Sequence, residues 1–367
     1  MNTVSHRGFR HSIVGAAALA VSLSLAVAGC SSPTSSPGGQ SSAAGSSESA
    51  APIADRPMPT DQKPDHKVKI AMIGFANNPY WVVVKSGTST ANNVLKPLGG
   101  SVDWIVAGTT QDVQTVNNAI RAAATQGYDG IGFFIAGEGN CEVVKELTKQ
   151  GLYLGAYNTL FNCLESAGAV VNYAQEQTKA GQVAAKEMIK AAGDKGGSVG
   201  IITSKFTAPG AEQRRTGFID GLKNSNLRLI NQGVEAHDSA GETYTAAQSY
   251  LQSANDLVGI YATAGGPFGA AQAVKAAGKT ASVKVIGYDI TDENIAALRA
   301  GSMYGVIGQD AFGQGYNVAI ELYNAKVTGK RPAEDKVLQP ALSPFVTVGN
   351  LNEHDPAKLA LGKLGAS

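Results

Sequence analysis

The chain has 367 residues, with 30 Lys and Arg against 29 Asp and Glu. No basic stripe interrupts that balance, so nucleic acid is not an expected partner. The folded body, between His66 and Asn350, is too long for one small core and implies two domains.

In chain order, the first feature is a short basic stretch holding Arg7 and Arg10. It is followed by the small and apolar run SIVGAAALAVSLSLAVA and then Gly29-Cys30. Positive flank, apolar segment and small residues at a cut are the layout of a secretory signal, here residues 1–29. The run is short and Ala/Ser-rich for a membrane span, which needs roughly 20 mostly apolar residues. Val27-Ala28-Gly29-Cys30 resembles the bacterial lipobox, which implies cleavage before Cys30, lipidation of its thiol and anchoring on the outer face of the cell membrane. Contact with the membrane is expected only through that lipid. Residues 30–65 are dominated by Ser, Pro, Gly and Ala. With so little apolar area to bury they are expected to form a flexible tether.

From Val68 onward, short β-branched and aromatic runs alternate with Ala-rich amphipathic stretches. Strands are predicted at 68–75, 102–108, 130–137, 152–158, 168–173, 198–204, 227–236, 257–264, 283–289 and 304–310. Helices are predicted at 111–126, 175–192, 211–224, 241–254, 268–278 and 311–328, among others. Near-continuous apolar strands indicate burial on both faces, and long connections indicate parallel crossovers. The pattern is a doubly wound α/β fold with enough strands for two sheets.

Ligands of such sheets bind beyond the carboxyl ends of the strands. The residues there include Asn77-Asn78-Pro79-Tyr80-Trp81, Asn158-Thr159, Ser204-Lys205-Phe206, Tyr288-Asp289 and Gln309-Asp310. They are rich in amides and aromatics, with a few carboxylates. No nucleophile–base order, paired metal ligands, GxGxxG or phosphate loop is found among them. An enzyme, a cofactor and a metal site are therefore not expected. Amides and carboxylates take hydroxyl hydrogen bonds while Tyr and Trp faces cover C–H surface, which suits a neutral polyhydroxylated ligand. Besides Cys30 the chain has Cys141 and Cys163, and export would place this pair in an oxidising compartment, where it is expected to form a disulfide.

The segments IAMIGFANNPYWVVVKSG, RRTGFIDGL, VIGYDI and YGVIGQDAFGQGYNVAIEL, in that order, resemble landmarks of the periplasmic sugar-binding proteins of the ribose/galactose type. The resemblance covers about residues 67–348. It implies the type I periplasmic binding protein fold: two Rossmann-like lobes, each a parallel sheet flanked by helices, joined by three hinge crossings near Tyr173, Gln309 and Pro340. The first lobe would comprise 66–173 and 310–340, the second 174–309 and 341–350, and residues 351–367 would form a C-terminal tail.

By the same resemblance the chain would be a monomeric solute receptor delivering a small neutral sugar or polyol to an ABC-type permease. Asn78 would bind a ligand hydroxyl, Tyr80 and Trp81 would form an aromatic wall, and Arg214, Asp289 and Gln309 would contact the ligand from the second lobe and the hinge. Asn158 stands where many members have Asp, and Gln175, Phe206 and His237 are further candidates. Structural roles compete: Asn78 and Asp289 could cap helices, Trp81 could be core, and His237 could lie on the surface. Two departures from the family pattern, Asn158-Thr159 for Asp-Arg and Ala264-Gly265 for Asn-Asp, argue against assuming the best-known ligands. The other functional readings are a lipoprotein of similar fold that binds a nucleoside or signalling molecule, or one that presents a ligand to a membrane sensor.

Overall fold

The computed structural model describes residues 56–354 with the exception of 77 and 264. The expected signal, Cys30, the tether up to 55 and the tail from 355 lie outside the described residues. The first lobe opens with β1 (Val68–Gly74), α1 (Pro79–Leu95), β2 (Gly100–Val106), α2 (Val113–Thr125) and β3 (Gly130–Phe134). It continues through α3 (Gly139–Lys149), β4 (Tyr153–Thr159), a short α4 (Cys163–Ser166) and β5 (Val171–Gln175). The chain then crosses over to α5 (Gln177–Ala192), β6 (Gly197–Thr203), α6 (Pro209–Gly221), β7 (Leu227–Leu229), β8 (Val234–Glu235) and α7 (Ala240–Ser253). The second lobe is carried on by β9 (Leu257–Ala262), α8 (Pro267–Ala276), β10 (Lys284–Tyr288), α9 (Asp292–Arg299) and β11 (Gly305–Ile307). A second crossing leads back to α10 (Ala311–Thr328) and β12 (Leu338–Ala341), and a third leads to β13 (Phe345–Val346) and α11 (Leu351–His354).

The first sheet has the order β12-β5-β4-β3-β1-β2 and the second β13-β11-β10-β9-β6-β7, with β8 also paired to β6. Every pairing is parallel except β11 with β13. The strands are apolar on both faces because helices cover both; Ile70, Ala71, Met72 and Ile73 of β1 are all fully buried. In each sheet the chain reverses direction of winding beside its first strand, between β1 and β3 and between β6 and β9. These switch points open crevices at the carboxyl ends of the strands.

Two helix pairs fix the frame of the lobes. In the first, a Cβ at Gly87 of α1 would run into the Phe312 carbonyl of α10, and one at Gly315 of α10 would run into the Val84 carbonyl of α1. In the second, Gly181 of α5 meets the Arg214 carbonyl of α6, and Gly217 of α6 meets the Thr178 carbonyl of α5. Both pairs thus cross backbone against backbone, which only glycine permits. The expected pairing of Cys141 and Cys163 is present, with Cα atoms 6.1 Å apart. The disulfide ties α3 to α4 on the rim of the first lobe.

The sequence expectations shift in several places. The stretch 227–236 is two short strands because Gly233, at φ +125°, breaks the run. The tether was expected to run free to Asp65, but from Arg56 the chain is docked on the first lobe. The Arg56 guanidinium holds both carboxylate oxygens of Asp310, at 3.1 and 2.9 Å, and lies 4.9 Å over the Phe312 ring. Farther along, Thr60 N–H donates to Asn324 Oδ1, whose amide donates to the Met58 carbonyl. Leu351, expected to begin the tail, is buried in the second lobe's core.

Gly315→Ala places its methyl group against backbone that cannot move aside, so unfolding stability should fall by about 1–3 kcal/mol. A urea titration monitored by circular dichroism measures this, and an unchanged midpoint would contradict the backbone crossing.

Candidate functional site

The carboxyl ends of both sheets face one cleft at the hinge. The first lobe contributes Asn78, Tyr80 and Trp81 from the start of α1, Gln111, Phe134 from the end of β3, and Asn158 and Thr159 from β4. The second contributes Ser204, Arg214 of α6, Asp238, Gly265 and Asp289, and Gln309 comes from the second crossing. The space is about 580 Å3, part of it open to solvent.

Asn78 caps α1, its Oδ1 accepting from Tyr80 N–H at 3.1 Å, and Pro79 occupies the first helical position. The cap occupies an acceptor and leaves the Nδ2 donors for a ligand. Capping and ligand contact are thus compatible. Trp81 is only 2% exposed, packed edge-on against Phe134 with centroids 5.4 Å apart. It lines the cleft from within the core, and its indole N–H finds no partner among the described residues. Burial pushes the Tyr80 phenol far above its ordinary range, which keeps it a neutral hydrogen-bonding group.

Arg214 is 4% exposed and held on three sides. Its Nε donates to Gln177 Oε1 at 2.5 Å, Nη1 to the Thr263 carbonyl at 3.0 Å and Nη2 to Gln309 Oε1 at 2.9 Å. The guanidinium also lies 4.0 Å over the Tyr288 ring. Arginine has five N–H donors, so each terminal nitrogen keeps one for a ligand. Gln309 in turn donates from Nε2 to Asp289 Oδ1.

The same residues form a closed circuit across the hinge. Gln177 Nε2 donates to the Asn158 carbonyl at 2.6 Å, and Asn158 Nδ2 donates to the Tyr80 hydroxyl at 3.1 Å. The Tyr80 hydroxyl donates to Gln314 Oε1, and Gln314 Nε2 returns to the Gln309 carbonyl at 2.8 Å. At the mouth of the cleft the lobes nearly touch: a Cβ on Gly210 would lie 2.9 Å from Thr159 Oγ1.

Asp289 and Asp238 are the cleft's carboxylates. Burial raises the pKa of each; for Asp289 the Arg214 charge and the Gln309 hydrogen bond oppose the rise, and for Asp238 the Ser204 hydrogen bond and the Arg214 charge oppose it. Asn158, Asp238, Asp289 and the hinge residue Asp310 have φ of +87°, +59°, +76° and +47°. Such left-handed backbone in non-glycine residues clusters at functional sites.

Of the residues singled out from sequence, Asn78, Tyr80, Trp81, Asn158, Arg214, Asp289 and Gln309 line the cleft. Gln175, Phe206 and His237 do not. Strand β5 extends through Gln175, which is buried and donates to the Gly308 carbonyl at 2.7 Å, bridging two crossings. Gln177, two residues on, joins the network behind the cleft, accepting from Arg214 and donating to the Asn158 carbonyl. Phe206 is 43% exposed, with the Arg215 guanidinium 5.4 Å over its ring. His237 points away to Glu242, Nδ1 to Oε2 at 2.8 Å. Consecutive left-handed backbone at His237 and Asp238 sends the first side chain to Glu242, and Asp238 is the one that reaches the cleft. Gln111, Phe134, Asp238 and the circuit residues Gln177 and Gln314 were not singled out.

Two doubly wound lobes, three crossings and a polar cleft at the hinge are the architecture of a binding protein. The chain belongs to the periplasmic binding protein domain family, whose model matches residues 70–331, and it is a binding protein, not an enzyme. It is 28% identical over 267 residues to the D-allose-binding periplasmic protein of Escherichia coli K12, an alignment covering 71% of this chain and 85% of that one. An ABC transporter solute-binding protein from Burkholderia graminis, in complex with D-arabinose, superposes with a TM-score of 0.69 at 19% identity, covering 78% of this chain and 97% of that one. The XylFII–LytSN complex gives 0.67 at 23%, covering 79% and 99%.

A raised pKa in the fold means Asp289 binds its proton more tightly folded than unfolded. Its contribution to stability is full below the ordinary value of 3.8 and lost as pH rises through the raised value. Ligand-free Asp289→Asn should therefore melt higher than the parent at neutral pH. That advantage should shrink as the pH is lowered toward the ordinary carboxylate range, as differential scanning calorimetry across pH would measure.

Proposed function

We propose that the protein is an exported solute receptor that captures a neutral sugar or polyol in the interlobe cleft and delivers it to an ABC-type importer. The observation carrying this reading is the asymmetry of the cleft walls. Tyr80, Trp81 and Phe134, the aromatics of the lining, all belong to the first lobe, while the second lobe presents Ser204, Arg214, Asp238 and Asp289. An aromatic wall facing a wall of donors and acceptors suits a sugar ring, with C–H surface on one face and hydroxyls on its edges. A nucleobase would favour aromatics on both sides. The allose-binding relative supports the same class.

Capture follows from the geometry as a population shift. A ligand touching Asn78 and Asn158 in one lobe and Arg214 and Asp289 in the other favours the closed arrangement over the open one. The circuit through Gln177 and Gln309 joins the two lobes in this arrangement. Anchoring through lipid on Cys30, action as a monomer and docking to a membrane permease complete the proposed role.

Thermal-shift titration of the full chain against pentoses, hexoses, polyols and nucleosides tests the ligand class. A ligand bound only by the native state raises the melting point with its concentration over Kd. Neutral carbohydrates should do so, and Asp289→Ala should abolish the shift; a response to nucleosides alone overturns the reading. Gly210→Leu should hold the lobes apart. The expected signs are a larger radius of gyration in solution scattering and weaker binding of whichever sugar the parent takes.

A further inference from the structure

Asp238 occupies a place that no other side chain in the cleft could share. A Cβ on Gly265 would lie 2.5 Å from Asp238 Cβ and 2.7 Å from its Oδ1, so the bare glycine after β9 is what lets the Asp238 side chain lie there. Consecutive left-handed residues, His237 at φ +45° and Asp238 at φ +59°, turn the chain so that one side chain goes out to Glu242 and the next goes in. Ser204 hydrogen-bonds the carboxylate. Asp238 makes no ion pair of hydrogen-bond length among the described residues, although the Arg214 charge acts on it. Folding alone gives little reason for a carboxylate there: it is drawn out of water and set on strained backbone.

The charge count of the cleft follows from this residue. The charged groups lining it are Arg214, Asp238 and Asp289, and the first-lobe wall is neutral. With Asn at 238 the cleft would balance one guanidinium against one carboxylate. With Asp it carries an excess negative charge and a further pair of acceptor oxygens on the second-lobe wall.

We propose that Asp238 determines which sugars the cleft accepts, taking a ligand hydroxyl beside the one held by Asp289 and rejecting sugars that carry an acid group. This rests on the sugar-binding reading and names the selectivity of that same site. A hydroxyl donating to an ionised carboxylate is bound more strongly than one meeting a neutral amide. An incoming carboxylate would meet like charge in a partly desolvated space.

The test compares the full chain with Asp238→Asn and Asp238→Ala by calorimetric titration of D-allose, D-ribose, D-arabinose and D-glucuronate, together with each protein's ligand-free melting point. The parent should bind one or more of the neutral sugars and not D-glucuronate. Asp238→Asn should weaken the preferred neutral sugar about tenfold and narrow its advantage over D-glucuronate, with a melting point equal to or above the parent's. Retention of the parent's affinity and selectivity by both variants overturns the proposal. So does loss of binding accompanied by a lowered ligand-free melting point, which marks a structural residue. A parent that binds none of the three neutral sugars, while another ligand class shifts its melting point, sinks the sugar reading itself and this inference with it.

Discussion

A guanidinium taken out of water must have its edges occupied, because an unpaired buried charge costs several kcal/mol. Arg214 meets that requirement with Gln177, Gln309 and the Thr263 carbonyl, and by lying on the Tyr288 ring. Each partner is thereby fixed, and the consequences spread outward. Gln177 stands at the first crossing and Gln309 at the second, so one cation ties two hinge strands together. Through Gln177 the network reaches Asn158 and Tyr80 in the other lobe, and through Gln309 it orients Asp289. The cleft wall and the hinge are thus one hydrogen-bonded object.

The second crossing is held from outside as well. Asp310 caps α10, accepts the Tyr173 hydroxyl at 2.7 Å and receives both arms of Arg56. Its left-handed backbone, unusual for a non-glycine residue, is over-determined by these partners. Gln309 and Asp310 are neighbours in sequence but face opposite ways, one to the cleft and one to the docked N-terminal segment. Residues 308–310 are therefore constrained on both sides of the hinge, and torsional change on opening must be shared with the other crossings, near 176 and 342–344.

Much of this was legible in the sequence because parallel strands buried on both faces leave an apolar signature that alternating connections repeat. Strand ends are where such sheets bind ligands, and Asn78, Tyr80, Trp81, Asn158, Arg214, Asp289 and Gln309 were all found there or by family pattern. What failed depended on single-residue register. The exact end of β5 decided between Gln175 and Gln177, and the left-handed turn at 237–238 decided between His237 and Asp238. Gln314 carries no local signal, since a glutamine one turn into a helix looks like a solvated residue until the opposing tyrosine is known. Arg56 was absorbed into a Ser/Pro/Gly-rich run whose composition gave no hint of its distant partner.

The glycine crossings of α1 with α10 and of α5 with α6 bear on how such a protein can change over evolutionary time. Each pair presents cleft residues from its helix ends, and because the helices touch backbone to backbone, side-chain exchange cannot alter the spacing of the frame. Positions such as Asn158, Thr159, Asp238 and Gly265 sit at strand ends and turns outside those contacts. Residues at these strand ends and turns can therefore be exchanged without moving the helix frame, but not always singly, because Gly265 must stay bare while Asp238 keeps its place.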